Sequence, residues 1–171
     1  MFVVILGCSE VGYHLTKALL ATGHEVVVIE KDQSRCQLLT EELGSVVQRG
    51  DGTDEMVLKR AGASRADVFV AVTGRDETNL VACQVTKHVF QVPRTMAVLK
   101  DPKNEPVFHL LGVDVVVNAT HQVLTSLEEG VPGRPMLHLM NLGAAGMELV
   151  VGVLQGAVVW QTLEGARRHM P

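Results

Sequence analysis

The stretch that most constrains the fold is residues 2–30, FVVILGCSEVGYHLTKALLATGHEVVVIE. It begins with an apolar run of strand length, Val3 to Leu6, which Gly7 interrupts. Apolar residues then recur at helical spacing until Thr22 and Gly23, and a second apolar run follows. This order predicts one β-α-β unit with parallel strands, and its first turn is typical of a nucleotide-binding crevice.

The chain up to about residue 118 repeats this pattern. Four more predicted strands follow the unit, at Ser45–Gln48, Ala66–Val72, Thr95–Leu99 and Val113–Val117. The segments between them have helical spacing, at Gln33–Leu43, Met56–Ala61, Thr78–Phe90 and a stretch that Pro102 opens. Hydrophobic residues make up 47% of the chain, as expected when strands are buried on both faces. We therefore predict an α/β fold with a doubly wound, parallel, six-stranded, Rossmann-like sheet.

Beyond Asn118 the pattern changes. The sequence predicts, in order, helices at His121–Glu129 and Met136–Leu142, strands at Met147–Leu154 and Val158–Trp160, and a turn at Gln155–Gly156. This segment is too short for a second domain. We predict a nucleotide-binding domain over residues 1–119, and over 120–171 a crossover helix and a dimerisation arm. The apolar arm either packs against a second copy of the chain or folds back on its own sheet.

The turn Gly7–Gly12 has the spacing of a dinucleotide-binding fingerprint, except that Ser9 stands at the middle glycine position. The first glycine permits a tight turn, Gly12 permits close packing of helix on strand, and the helix N-terminus offers N–H groups to a phosphate. The Ser9 hydroxyl can donate to a phosphate, but its Cβ takes space that the ligand would use. A nucleophile elbow is excluded because its G-x-S-x-G spacing is shorter by one residue.

Two other side chains of this turn raise further hypotheses. Cys8 lies near the predicted helix N-terminus, which would lower its pKa, and a redox-sensing thiol is a minor alternative. The Glu10 carboxylate either lies beside the phosphate site, where it repels di- and triphosphates, or points to solvent.

Glu30 ends the second strand, about 20 residues after the turn. A carboxylate at this place accepts hydrogen bonds from the ribose diol of adenosine and repels a 2′-phosphate, so NADP is disfavoured. The alternative is a solvated carboxylate at a strand end.

Two more turns follow the third and fourth strands at the same edge of the predicted sheet. In Asp51-Gly52-Thr53, the carboxylate either receives the adenine amino group or forms an Asx cap for the next helix. Thr73 ends the fourth strand and is expected to face the crevice. Asp76 is either part of the crevice or the N-cap of the following helix, and for Asp76 alone we favour the cap.

Charge and composition exclude several classes of function. A net charge of −4 and a pI of about 5.9 argue against nucleic-acid binding. The seven histidines and three cysteines are not spaced as metal ligands, and no apolar run approaches the ~18 residues of a membrane helix. We expect a cytoplasmic protein without a metal, whose role at a membrane would depend on a partner.

Four segments taken together resemble a known family: VVILGCSEVGYHLTKALLATGHEVVVIEKD, RGDGTD, DVFVAVTGRDETNL and DPKNEPVFHLLGVDVVVN. In this order they resemble the RCK domain, also called KTN or TrkA-N, over roughly residues 1 to 120. The segment MELVVGVLQGAVVWQTLEG resembles the linker and the start of the smaller C-terminal lobe that often follows, so the resemblance implies the start of a second lobe within residues 120–171. The resemblance implies a cytosolic regulatory subunit of a potassium uptake or transport system, not a catalyst. Such domains form homodimers and often rings, bind an adenine nucleotide, and gate a membrane channel or transporter subunit. The alternatives are an NAD-dependent oxidoreductase and an RCK module with a purely structural role and no nucleotide.

The resemblance also implies which residues bind the nucleotide. It assigns Gly7, Ser9 and Gly12 to the phosphates, Glu30 to the ribose, Lys31 to a position flanking the adenosine, Asp51 and Thr53 to the border of adenine, and Thr73, Asp76 and Asn79 to the distal pocket, together with the neighbouring Cys8, Glu10, Val11, Gly52, Gly74 and Lys100. Many nucleotide-binding members carry Arg where this chain has Glu10 and Val98, and Lys100 compensates only in part. From AMP, ADP, ATP and NAD(H), the resemblance therefore favours a ligand with few phosphates, or weak NAD(H) binding.

Overall fold

The structure, a computed structural model, describes residues 1–131, 136–141, 148–154 and 157–162. The chain divides into two compact units, Met1–Thr120 and His121–Pro171.

The first unit is a parallel sheet with helices between its strands. Its strands are β1 (Phe2–Leu6), β2 (Glu25–Glu30), β3 (Val47–Arg49), β4 (Val68–Ala71), β5 (Arg94–Leu99) and β6 (Val115–Asn118). Its helices are α1 (Glu10–Ala21), α2 (Gln33–Leu43), α3 (Glu55–Arg60), α4 (Asp76–His88) and α5 (Glu105–Leu110), and α6 (Ala119–Glu129) begins at its end. The six strands are parallel in the order β3-β2-β1-β4-β5-β6, which confirms the predicted doubly wound, Rossmann-like sheet.

The strand order reverses beside β1, which pairs with β2 on one side and β4 on the other. Leu6, the last residue of β1, is in register with Ile29 of β2 and Ala71 of β4. The three strands therefore end level with one another. In open α/β sheets this switch point at the carboxyl edge is where ligands bind.

Both faces of the sheet are buried, which explains why the strand sequences are continuous apolar runs. Side chains alternate along β1, so that Phe2, Val4 and Leu6 belong to one hydrophobic cluster. Val3 and Ile5 belong to the cluster on the opposite face. This two-sided packing holds the strand ends, and the turns that leave them, in fixed positions.

Most differences from the predicted elements are small shifts of their ends. The predicted strand at Ser45–Gln48 begins as a 3-10 turn, Gly44–Val46, and only then becomes β3. Pro102 likewise opens a 3-10 turn before α5. Helix α4 begins at Asp76, two residues before the predicted Thr78.

The second unit contains a small antiparallel sheet. Its strands are β7 (Met136–Asn141), β8 (Glu148–Leu154) and β9 (Ala157–Thr162), in the order β7-β8-β9. β8, β9 and α6 confirm three of the predicted elements. The predicted turn at Gln155–Gly156 lies outside the described residues.

The predicted helix at Met136–Leu142 is wrong, because residues 136–141 form the strand β7. Met and Leu favour helices in isolation, but here the antiparallel ladder with β8, from Met136 opposite Gly152 to Asn141 opposite Glu148, provides backbone partners. Leu142 lies outside the described residues. In the part of the chain that the structure describes, every helix is too short or too polar to cross a membrane.

Candidate nucleotide-binding site

The turn after β1 depends on two glycines. Gly7 has a φ of +93°, in the left-handed region that L-residues with a Cβ rarely adopt. A Cβ on Gly12 would lie 2.1 Å from the Gly7 carbonyl oxygen, so only glycine lets α1 approach the end of β1 this closely. Both glycines therefore have the steric roles that the sequence predicts.

The N-terminus of α1 has its N–H groups open to a ligand. Ser9 is the N-cap residue, yet among the described residues no side chain caps this helix. The Ser9 hydroxyl donates instead to the Val72 carbonyl, at 3.0 Å. In α2 and α3, by contrast, Asp32 and Asp54 accept hydrogen bonds from first-turn N–H groups. Uncapped N–H groups at the positive end of a helix dipole form a ready site for an anion.

A cavity of about 280 Å³ opens in front of this helix, at the carboxyl edge of the sheet. Its wall consists of Leu6, Gly7, Ser9, Ile29, Glu30, Lys31, Arg35, Asp51, Gly52, Thr53, Thr73, Gly74, Arg75 and Thr78. The structure thus brings together most of the predicted residues from four separate turns. The predicted residues that do not belong to this wall, all of them within the described part of the chain, are Cys8, Glu10, Val11, Gly12, Asp76, Asn79 and Lys100.

The Glu30 carboxylate is held by backbone donors. Its Oε1 accepts from the N–H groups of Lys31 and Asp32, at 2.8 and 3.0 Å, and its Oε2 accepts from Cys8 N at 3.0 Å. A carboxylate oxygen accepts about two hydrogen bonds, so Oε1 is saturated and one position remains on Oε2. Glu30 is therefore a fixed acceptor on the cavity wall, with room for a donor such as a ribose hydroxyl.

Asp51 is fixed in a similar way. Its Oδ1 accepts from Thr53 N at 3.0 Å and from Thr53 Oγ1 at 2.7 Å, and its Oδ2 lies 2.7 Å from Lys31 Nζ. The hydrogen bond from Lys31, followed by those from Thr53, lowers the pKa of Asp51 to about 2. Asp51 thus forms a local Asx turn with Thr53, but the prediction that it caps the next helix is wrong, because that cap is Asp54, which accepts from Met56 N at 2.8 Å.

Thr73 and Asn79 join the ends of two strands. The backbone N–H and the hydroxyl of Thr73 donate to Asn79 Oδ1, at 3.0 and 2.5 Å. Asn79 Nδ2 donates in turn to the Val98 carbonyl, at 2.7 Å. Asn79 is fully buried, and through these hydrogen bonds it holds the turn that carries Thr73 in place.

The prediction that Asp76 is a helix N-cap is wrong. The N-cap residue of α4 is Arg75, and Asp76 is the first residue of the helix. Its carboxylate accepts from the N–H groups of Lys100 and Asp101, at 2.9 and 3.0 Å, and from Asn104 Nδ2 at 2.9 Å. Asp76 therefore connects the start of α4 to the segment that follows β5, because the backbone N–H groups of this segment lie within reach of its carboxylate.

The prediction of a lowered pKa for Cys8 is also wrong. The thiol is buried in one of the two core clusters, and burial, together with the nearby negative charge of Glu30, raises the pKa of Cys8 to about 11. Desolvation of a thiolate outweighs the helix N-terminus here.

The Glu10 side chain points to solvent. Its carboxylate is 94% exposed, and an oxygen lies 3.7 Å from His14 Nε2 on the next turn of α1. Val11 is exposed as well. The alternative in which Glu10 points away from the phosphate position is confirmed.

Three polar residues of the wall are missing from the sequence-based prediction: Arg35, Arg75 and Thr78. Arg35 lies in the first turn of α2 and donates from Nη2 to the Cys8 carbonyl at 2.6 Å. Arg75 lies in the turn between β4 and α4 and donates from Nε to Glu77 Oε1 at 2.8 Å. One signal in the sequence points to both arginines, since each lies within five residues of the end of a strand that borders the crevice.

Comparison with known proteins identifies relatives. A family model described as the TrkA-N domain matches residues 3–119. A Trk system potassium uptake protein TrkA homolog of Methanothermobacter thermautotrophicus is 35% identical over 150 residues, which are 88% of this chain and 69% of that protein. A second TrkA homolog, of Pyrococcus abyssi, is 36% identical over 110 residues, 63% of this chain and 48% of that protein. This chain thus spans about half to two thirds of the length of these two relatives.

Solved structures share the fold. A GsuK channel bound to NAD has a TM-score of 0.72 and 22% identity, covering 91% of this chain and 28% of that one. A GsuK structure bound to ADP has a TM-score of 0.67 and 25% identity, covering 74% of this chain and 33% of that one. The Kef C-terminal domain (CTD) of Shewanella denitrificans in its AMP-bound form has a TM-score of 0.63 and 23% identity, covering 74% of this chain and 77% of that one. The family match over residues 3–119, with the first relative aligned over most of both proteins, shows that this chain belongs to the TrkA-N family.

Proposed function

We propose that residues 1–119 form a regulatory domain that binds an adenine nucleotide for a potassium uptake or transport system, and that the domain is not a catalyst. The observation that carries the proposal is that the Gly7 turn, Glu30 and Asp51 all line one cavity at the switch point of the sheet. Family membership supports it, as do the NAD, ADP and AMP bound in structures of similar fold.

The adenosine part of the ligand fits the side of the cavity formed after β2 and β3. Glu30 keeps one acceptor position on Oε2, which suits a ribose hydroxyl. Asp51 keeps one on Oδ2, beside the bond from Lys31, which suits the amino group of adenine. A 2′-phosphate would meet the Glu30 carboxylate, so we propose that NADP is not the ligand.

The phosphates fit the uncapped N-terminus of α1. The expectation of few phosphates depends on Glu10 and Val98, which stand where many members carry Arg. Because the Glu10 carboxylate points to solvent, it repels a bound phosphate less than the sequence suggested. Because Arg35 and Arg75 lie on the wall, the cavity also has positive charge from other positions. We therefore propose AMP, ADP, ATP or NAD(H) as the ligand class.

The partner of the domain is proposed to be a membrane channel or transporter subunit, with this domain at its cytoplasmic face. The relatives are named potassium uptake proteins, and two of the similar structures are named for the GsuK channel. Residues 120–171 would then serve as the crossover and dimerisation arm and the start of a second lobe, in a homodimer or larger ring. Gating requires that the nucleotide bind two states of such an assembly with different affinities.

The test is ligand-induced stabilisation. Thermal unfolding of the chain is measured with AMP, ADP, ATP, NAD, NADH and NADP, for wild type, Glu30→Ala and a control, Glu25→Ala. Glu25 lies on the same strand, β2, but at the opposite edge of the sheet. A ligand at 100 times its Kd stabilises by about 2.7 kcal/mol, which is readily measured as a rise in melting temperature. We expect a rise with at least one nucleotide other than NADP, lost in Glu30→Ala and kept in Glu25→Ala.

Other outcomes decide between the alternatives. If no nucleotide raises the melting temperature of the wild type, a structural module without a ligand becomes the better account. If the chain oxidises NADH with a small carbonyl substrate, the oxidoreductase replaces the regulatory function.

A further inference from the structure

We propose that Arg75 makes this site sensitive to the number of phosphates on the nucleotide. In the free protein Arg75 pairs with Glu77, and in the complex it leaves Glu77 and pairs with the phosphates beyond the first. The proposal rests on the proposed function, because it assumes that the cavity binds an adenine nucleotide.

The position of Arg75 follows from the strand order. Glu30 and Asp51 follow β2 and β3, on one side of β1, and Arg75 follows β4, on the other side. An adenosine at the first side places its first phosphate at the α1 N-terminus, which follows β1. Additional phosphates then extend toward the turn that contains Arg75. This turn leads into α4, whose first turn carries the carboxylates of Asp76 and Glu77, so the positive charge on this side of the wall comes from the Arg75 guanidinium.

Arg75 can exchange its ion-pair partner, Glu77, for another anion. Its Nε and Nη2 lie 2.8 and 2.7 Å from the same oxygen of Glu77, Oε1. The two side chains are 73% and 65% exposed, and an ion pair in water is weak because solvent screens it and ordering both side chains costs entropy. A phosphate carries more charge than a carboxylate and accepts from a guanidinium at two oxygens, so it competes well for this arginine.

The other cations of the wall are engaged elsewhere. Arg35 donates to the Cys8 carbonyl, and this bond holds the glycine turn in place. Lys31 pairs with Asp51 at the adenosine side. Lys100 does not belong to the wall, although its Nζ lies 3.3 Å from the place that a Cβ on Gly74 would take.

The test compares nucleotides that differ only in phosphate number. Isothermal titration at low ionic strength gives the Kd of AMP, ADP and ATP for the wild-type chain, Arg75→Gln, Glu77→Gln and a control, Arg94→Gln. Arg94 is exposed and begins β5, at the opposite edge of the sheet, so its replacement makes the same change of net charge far from the cavity.

The proposal gives each variant a distinct result. Arg75→Gln should weaken the binding of ATP roughly fivefold to tenfold, that of ADP less, and that of AMP less than twofold. The reason is that the variant loses one charge-assisted contact, which only the phosphates beyond the first can make. Glu77→Gln should strengthen the binding of ATP about twofold, because it removes the carboxylate that competes for Arg75. Arg94→Gln should leave all three Kd values unchanged. Raised salt should reduce the preference of the wild type for ATP over AMP.

Two results separate this inference from the proposed function. If the wild type binds nucleotides but Arg75→Gln keeps the same ratio of ATP to AMP affinity, or Arg94→Gln changes that ratio equally, Arg75 does not sense phosphate number. If the wild type binds no nucleotide at all, the proposed function fails and this inference fails with it. Melting temperatures of the ligand-free variants, expected to match the wild type, exclude loss of folding as the cause.

Discussion

The two sides of the cavity are held by different kinds of interaction. On the adenosine side, Glu30 accepts three backbone N–H groups, and Asp51 accepts Thr53 N as well as Lys31. On the other side, Arg75 is held by one exposed carboxylate two residues away. The first side is formed before a ligand arrives, whereas the second has a charge that can exchange partners. Under the proposed function, recognition of adenosine and response to phosphate number could therefore be changed separately.

The largest expected contrast comes from one glycine on each side. A Cβ on Gly52 would lie 2.2 Å from Leu6 Cδ1, in the packed core, whereas a Cβ on Gly74 would meet only the flexible end of Lys100 at 3.3 Å. We expect Gly52→Ala to lower the free energy of unfolding by about 2–3 kcal/mol, and Gly74→Ala by less than about 0.5 kcal/mol. Urea denaturation of both variants measures this, and equal losses would contradict the contrast between a tightly packed and an open side.

A smaller effect is expected from removing one carboxylate on each side. Glu30→Ala leaves three backbone N–H groups without their acceptor and should cost about 1–2 kcal/mol in urea denaturation. Glu77→Ala should leave the urea midpoint unchanged, because the pair with Arg75 is exposed. A similar loss in both variants would show that the second side is as rigid as the first.

The smallest effect is the pH dependence that Asp51 contributes. The hydrogen bond from Lys31 and those from Thr53 lower the pKa of Asp51 from 3.8 to about 2. Because its pKa is lower in the folded state than in the unfolded state, ionised Asp51 stabilises the fold at pH values above its unfolded-state pKa. This stabilisation is lost as the pH falls through the folded-state pKa. The side chain is 39% exposed, so screening keeps the effect below about 1 kcal/mol.

The measurement for Asp51 is the difference in melting temperature between wild type and Asp51→Asn. It should stay constant above about pH 5 and shrink as the pH falls from about 5 toward 2. A difference that stays constant down to pH 2 would mean that Asp51 has an ordinary pKa in the folded protein and that its pair with Lys31 does not persist in solution.

The sequence predicts the parts of the site that depend on backbone geometry. Gly7 and Gly12 are recognisable because the turn admits no Cβ at either position, and Glu30 because it ends a strand at a set distance from the turn. The doubly wound parallel sheet is predictable because six apolar runs alternate with helical segments. These features lie along the chain, at spacings that the fold itself imposes.

The remaining features depend on contacts that spacing does not encode. Arg35 and Arg75 lie outside the fingerprint. Each follows, within five residues, a strand that borders the crevice, but which side chains of these turns reach the cavity wall depends on packing. The sequence does not predict the raised pKa of Cys8, because burial of the thiol outweighs its closeness to a helix end. The residues from Met136 to Asn141 have the local propensity of a helix, but their pairing with β8 is a tertiary contact that overrides it.

The turn that carries Arg75 is tied to the segment after β5 at two points. Asn79 reaches the Val98 carbonyl, and Asp76 binds the N–H groups of Lys100 and Asp101. A phosphate that pulls on this turn must either move residues 98–101 with it or break these hydrogen bonds. If a nucleotide binds as proposed, this turn would connect its later phosphates mechanically to residues 98–101, the segment that leads toward α5.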